Sequence, residues 1–254
     1  MTRASEVARR VVALAPDAIF SPDARMASVL RTTAGAIPVV AVTVDPVGAG
    51  VADSLARPGG NVTGFTVDVG LELLGKRLDL MKQAVPAART TGWLAPSRLR
   101  EHPVAQAYRD AARAAGITTV DGLVEPPVDE AAYRRAFAAM VRGGAETLSV
   151  ASTLENLAYR QLIAELAIAA KLPSMFGFRE NVEAGGLMSY GNDAADTFRR
   201  SAGYIDRLLR GANPAVMPFQ QPDRFALVVN LRTAKALGLT LPTVLLAAAD
   251  EVIE

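Results

Sequence analysis

Ile37-Pro38-Val39-Val40-Ala41-Val42-Thr43-Val44 is the longest clean apolar run in the chain, and Asp45-Pro46 stops it. The run is rich in β-branched residues and does not alternate with polar ones. That is the pattern of a strand covered on both faces, as in a parallel sheet with helices above and below. Upstream, Ala18-Ile19-Phe20 is a short apolar strand closed by Ser21-Pro22-Asp23, and a helical pattern follows to about Thr33. Before it, Val7, Val11, Val12 and Leu14 mark an amphipathic helix. Downstream, Pro58-Gly59-Gly60-Asn61 is a strong turn signal and Val62 to Phe65 a short strand.

The alternation continues. Leu71 to Val85 has helical spacing through Leu74, Leu78 and Met81, and Pro86 terminates it. Strand patterns at Thr90–Ala95, Ile117–Asp121, Thr147–Ala151, Pro173–Phe176, Gly186–Tyr190 and Arg224–Val229 interleave with helical ones. Those helices are expected over His102–Ala115, Asp129–Val141, Leu154–Ala170 and Asp193–Leu209, with Asp129 a good N-cap and Gly211 a stop. Two short helices and an acidic end, Asp250-Glu251-Val252-Ile253-Glu254, finish the chain, the last reading as a solvated tail. Such alternation predicts an α/β protein built on parallel sheets. Ligands bind these sheets beyond the carboxyl ends of the strands. The informative residues therefore lie in Ser21–Asp23, Asp45-Pro46, Pro96–Arg98, Ser152–Asn156, Phe178–Glu180 and Tyr190–Asp193.

Composition narrows the function classes. The 254 residues suffice for two compact lobes or for one large α/β domain. Lysine and arginine number 27 against 26 acidic residues, interspersed, so no electrostatic case exists for nucleic acid or an anionic membrane. Cysteine is absent, which removes disulfides, thiolate nucleophiles and cysteine metal sites. No apolar run reaches the roughly 18 residues of a membrane span. Met1 to Glu6 leads straight into the first helical pattern, without the features of a signal peptide.

Catalytic and cofactor motifs fail on inspection. The single histidine, His102, precedes a proline and reads as a surface residue at a helix start. The serine best placed for a nucleophile, Ser189, has Leu187 where the nucleophile elbow needs glycine. Gly48-Ala49-Gly50 follows a strand, but Asp53 occupies the third glycine position of the dinucleotide fingerprint and would repel a phosphate. Asp193 and Asp196, at a helix start, read as capping rather than metal ligation, so no metal or cofactor is expected.

Three stretches carry a family resemblance. Asp45-Pro46-Val47 with Ser54-Leu55-Ala56-Arg57-Pro58-Gly59-Gly60-Asn61-Val62-Thr63-Gly64 is the first. Phe178-Arg179-Glu180 with Val182-Glu183-Ala184-Gly185-Gly186-Leu187-Met188-Ser189-Tyr190-Gly191 is the second. Asn230-Leu231-Arg232-Thr233-Ala234-Lys235-Ala236-Leu237-Gly238-Leu239 with Ala249-Asp250-Glu251-Val252-Ile253 is the third. In this order they resemble the ABC transporter substrate-binding proteins of the tryptophan and tyrosine type. The resemblance implies the type I periplasmic-binding-protein fold, with two Rossmann-like lobes, three crossovers and a solute bound in the cleft. It implies no catalysis, a small-molecule solute, ABC permease subunits as partners, a monomer, and a periplasmic or extracytoplasmic location.

The implied lobes are residues 1–87 with 191–222, and 88–190 with 223–254. Crossovers fall near Asp68–Pro86, at Tyr190-Gly191 and near Phe219–Asp223. Members of the family usually begin with an export signal and a strand–helix–strand unit; this chain starts at the helix after that unit. The N-terminal lobe is then truncated and the strand at Ala18–Phe20 becomes an open edge, with weaker binding and more aggregation expected.

The ligand-binding candidates are Ser21, Asp23, Asp45, Pro46, Ser97, Glu155, Asn156, Phe178, Arg179, Tyr190 and Asp193. Asp45 is either an acceptor for an ammonium or hydroxyl, or the cap of the turn at Pro46. Arg179 is either a bidentate carboxylate ligand or a surface helix residue. Phe178 and Tyr190 either pack against an apolar or aromatic part of the solute or belong to the core. Asp45 with Arg179 points to a zwitterionic, amino-acid-like solute. Two rival readings share the fold class: a ligand-sensing module of a receptor or regulator, and a racemase-like enzyme relying on carboxylates.

Overall fold

The computed structural model describes residues 3–66, 72–222 and 224–254. Along the chain run α1 (Arg3–Ala13), β1 (Ile19–Ser21), α2 (Ala24–Thr33), β2 (Val39–Thr43), β3 (Val62–Thr66), α3 (Glu72–Ala84), β4 (Thr90–Pro96), α4 (Pro103–Ala114) and β5 (Thr118–Val124). Then follow α5 (Glu130–Arg142), β6 (Thr147–Val150), α6 (Leu154–Ala158), α7 (Arg160–Ala169), β7 (Ser174–Phe176), α8 (Arg179–Glu183), β8 (Met188–Gly191) and α9 (Ala194–Leu209). The last elements are β9 (Ala226–Asn230), α10 (Leu231–Ala236), α11 (Thr243–Ala247) and β10 (Glu251–Ile253).

The chain divides into a first unit, Met1–Gly70 with Asn192–Arg224, and a second, Leu71–Gly191 with Phe225–Glu254. Of the expected crossover limits, Asp68 and Asp223 lie outside the described residues. The apolar side of α3 joins clusters of the second unit through Leu78, Leu80 and Met81. A boundary at 87 assigns this helix to the first lobe; its packing is with the second unit.

In the first unit, β1, β2 and β3 form a parallel three-stranded sheet in that order. All five residues of β2 are buried, and the two faces explain why. Val39 and Ala41 pack with Ala27 and Leu30 of α2 and Ala8 of α1. Val40 and Val42 pack with Tyr204 and Leu208 of α9. A strand sandwiched in this way has no solvent face, so its sequence need not alternate. Among the described residues β1 pairs only with β2, leaving its other edge open as expected.

The second unit holds a seven-stranded sheet in the order β10-β9-β8-β7-β6-β4-β5. Every pair is parallel except β8 with β9. β9 re-enters this sheet after the long excursion through residues 192–224, and it returns in the opposite direction to β8. The acidic end corrects one expectation: Glu251–Ile253 is an edge strand, not a solvated tail. Asp250 accepts from the Leu227 amide at 2.8 Å, and Glu251 pairs with Arg179 at 3.0 Å, so its carboxylates serve the sheet edge.

Tyr108 of α4 lies against Trp93 of β4, ring centroids 5.6 Å apart and planes nearly parallel. Burial pushes its phenol from 10.0 up to about 12. The unfolded chain releases this proton above pH 10 while the folded chain keeps it, so stability is complete below pH 10 and falls as pH rises toward 12. We expect a loss of about 2–3 kcal/mol across that window. Denaturant melts from pH 9 upward should show it, and Tyr108→Phe should make the fall shallower, with Tyr133 and Tyr204, also raised by burial, supplying what remains.

Candidate functional site

In the first unit, Ser21, Thr43 and Thr66 close β1, β2 and β3 at their carboxyl ends. They are 2%, 4% and 3% exposed. The register pairs Thr43 with Thr66, and Ser21 with Ala41 two residues before Thr43. With side chains alternating along each strand, all three hydroxyls lie on one face of the sheet. It is the face of Ile19, Val39, Ala41 and Val62, on which α2 packs. The Ser21 hydroxyl donates to the Asp23 carbonyl at 3.1 Å. The hydroxyls of Thr43 and Thr66 have no hydrogen-bond partner.

The acidic candidates around these strand ends are occupied by backbone. Asp23 caps α2, accepting from the Met26 amide at 2.8 Å. Asp45 accepts from the Gly48 amide at 2.8 Å, the capping alternative, and the carbonyl of buried Pro46 accepts from Val51 and Ala52. Asp193 caps α9 through the Asp196 amide at 3.0 Å. Asp53, at the failed glycine position, pairs with Arg31 of α2.

In the second unit the carboxyl ends of β4, β6, β7 and β8 gather the other candidates. Ser97 opens a single 3-10 turn, Ser97–Leu99, and its carbonyl accepts from Arg100. Arg98 donates to the two Glu155 oxygens as a bidentate pair, from Nε at 3.2 Å and from Nη2 at 2.9 Å. Burial alone would raise the Glu155 carboxyl, but the Arg98 guanidinium, its own backbone amide and the Thr153 hydroxyl hold it below its usual range. Asn156 is 1% exposed and accepts from the Tyr133 hydroxyl at 2.9 Å. It also donates to the carbonyls of Ala151 at 2.8 Å and Leu94 at 3.4 Å. Phe178, half-buried, precedes α8, and exposed Arg179 opens it, paired with Glu183 and Glu251 at 3.0 Å each. The Tyr190 ring lies 6.0 Å from that of Phe225. His102 caps α4 from the surface.

Sequence reasoning missed Arg77, Thr43 and Thr66. Arg77 of α3 is 9% exposed; its Nε donates to the Tyr190 carbonyl at 2.7 Å and its Nη1 lies 3.4 Å from the Ser152 hydroxyl. Two glycines make room for this arrangement. A Cβ at Gly177 would lie 1.9 Å from Ser152 Oγ, and one at Gly191 would lie 1.9 Å from the Gly177 carbonyl. The signal for Arg77 was its place in the apolar stripe, three residues from Leu74 and four before Met81. The signal for the threonines was a hydroxyl residue at the last position of an otherwise apolar strand. Among the described residues no group of His, Asp or Glu is arranged to hold a metal, and no helix is long and apolar enough to cross a membrane.

Parallel sheets with polar residues at their carboxyl ends suit ligand capture, and the chain's likeness to known proteins agrees. The family described as ABC transporter substrate binding protein matches residues 1–253. This chain belongs to that family. Its members are solute-binding proteins rather than an enzyme class, and they serve permeases as partners, typically outside the cytoplasm. A tyrosine-binding protein of Clostridioides difficile (strain R20291) is 23% identical over 241 residues, 94% of this chain and 68% of that protein. A conserved domain protein from Vibrio cholerae O1 biovar El Tor superposes with a TM-score of 0.87 at 24% identity, covering 98% of this chain and 82% of that one. A domain from Streptococcus pneumoniae solved in complex with L-Trp gives 0.86 at 24% identity, covering 98% and 83%. At these identities the two structures establish the shared fold, that of type I periplasmic binding proteins.

Proposed function

We propose that this protein captures an amino acid outside the cytoplasm and delivers it to the permease of an ABC importer, acting as a monomer, without nucleic acid and without chemistry on the solute. The observation that carries the reading is the family match across residues 1–253. The tyrosine-binding relative and the L-Trp complex support an amino acid as the solute class. The strand ends of both units offer polar side chains where parallel sheets place their ligands. The near balance of 27 basic and 26 acidic residues fits a small zwitterion better than a polyanion.

Titration calorimetry with L-tryptophan, L-tyrosine and a wider amino-acid panel tests the reading. Saturable binding of at least one amino acid is expected. A ligand held at a hundred times its Kd should raise stability by about 2.7 kcal/mol, visible as an upward melting shift. Heat and melting curves that stay flat across the panel would defeat it.

A further inference from the structure

Thr43 and Thr66 end neighbouring parallel strands in direct register, on one face, and both are more than nine-tenths buried. Neither hydroxyl has a hydrogen-bond partner. Native proteins pair the great majority of their buried polar groups, so two orphans side by side at the end of a sheet mark a place built to meet another molecule. We propose that this hydroxyl pair binds the α-carboxylate of the captured solute, a step that rests on the amino-acid-binding reading above.

Three features select a carboxylate. Strands about 4.8 Å apart bring both hydroxyls within reach of a single carboxylate, one donating to each oxygen. An ionised carboxylate only accepts, so both hydroxyls donate without conflict. The ten-residue helix α2 packs on this face and starts just after Ser21, which puts its positive N-terminal end at the carboxyl ends of the strands. Asp23 and Asp45 lie in the loops that follow β1 and β2. A bare anion would meet their negative charge, whereas an α-amino acid brings an ammonium to offset it.

The test uses Thr43→Val, Thr66→Val and Thr43→Ser in the full chain, titrated with L-tryptophan, L-tyrosine, their carboxamides and D-fucose. Each valine variant should bind the amino acid roughly tenfold to a hundredfold more weakly. Its ligand-free melting temperature should hold or rise, because valine replaces a hydroxyl that bonds to nothing in the protein. Thr43→Ser should retain affinity, and the carboxamides should bind the wild type at least tenfold more weakly than the acids, by the same loss of a charged acceptor. Unchanged affinity in both valine variants overturns the proposal and leaves the amino-acid reading standing. Carboxamides as tight as the acids, or D-fucose bound in their place, overturn the carboxylate assignment, and this comparison stands even where a valine variant fails to fold. A wild type that binds no amino acid overturns both.

Discussion

Gly64→Ala is expected to unfold the first unit, with a loss of more than about 4 kcal/mol. Gly64 sits in β3 with φ of +151°, a conformation that side chains strain against. An added Cβ would lie 1.9 Å from the carbonyl oxygen of Ala41 and 2.7 Å from its nitrogen. Those atoms are backbone of β2, the register partner of this position, so no side chain can swing aside. Relief requires β3 to separate from β2, the central strand of the unit's three. A domain of this size has about 5–15 kcal/mol in all, so the loss consumes much of it. Denaturant titration should show an early transition in the variant. A variant whose midpoint stays within experimental error of the wild type would show that β2 and β3 yield more easily than this geometry allows.

Asn156→Leu is the second large effect, a loss of about 2–4 kcal/mol. The substitution keeps the volume but strands the Tyr133 hydroxyl and takes one of two donors from the carbonyls of Ala151 and Leu94, which keep the Thr153 and Ala151 amides. Burial already pushes the Tyr133 phenol far above its ordinary value, so it cannot answer by ionising. Pairing the change with Tyr133→Phe should recover part of the loss, because the stranded hydroxyl is then gone; a strictly additive double variant would refute the network. Asn156, read from its position after β6 as a solute ligand, thus acts as the post between α5, β4 and the turn before α6.

The same strand-end logic that flagged Asn156 flagged Asp23, Asp45 and Asp193, and the structure gives all three a backbone amide to cap. A polar residue after a strand is where a ligand would be met, and it is also where the next helix or turn needs its first amides satisfied. Sequence position alone does not separate the two uses. Arg77 shows the converse: an arginine in a helix whose burial depends on which neighbours the helix meets. Thr43 and Thr66 escaped notice because each looks like a strand residue, and their significance comes from register with each other.

What the sequence by itself determined is the order and type of the longer elements, though not of the short α8 or the last strand, because apolar periodicity and turn chemistry are local and act before any long-range pairing. The run from Ile37 to Val44 even announced that both of its faces would be covered. Only the tertiary structure decided that β9 runs antiparallel to β8, that Glu251–Ile253 closes the sheet as a strand, and that two threonine hydroxyls 23 residues apart stand side by side. Pairing direction, edge and register are set by which distant segments share a core, and that information is spread over the whole chain rather than written at any one residue.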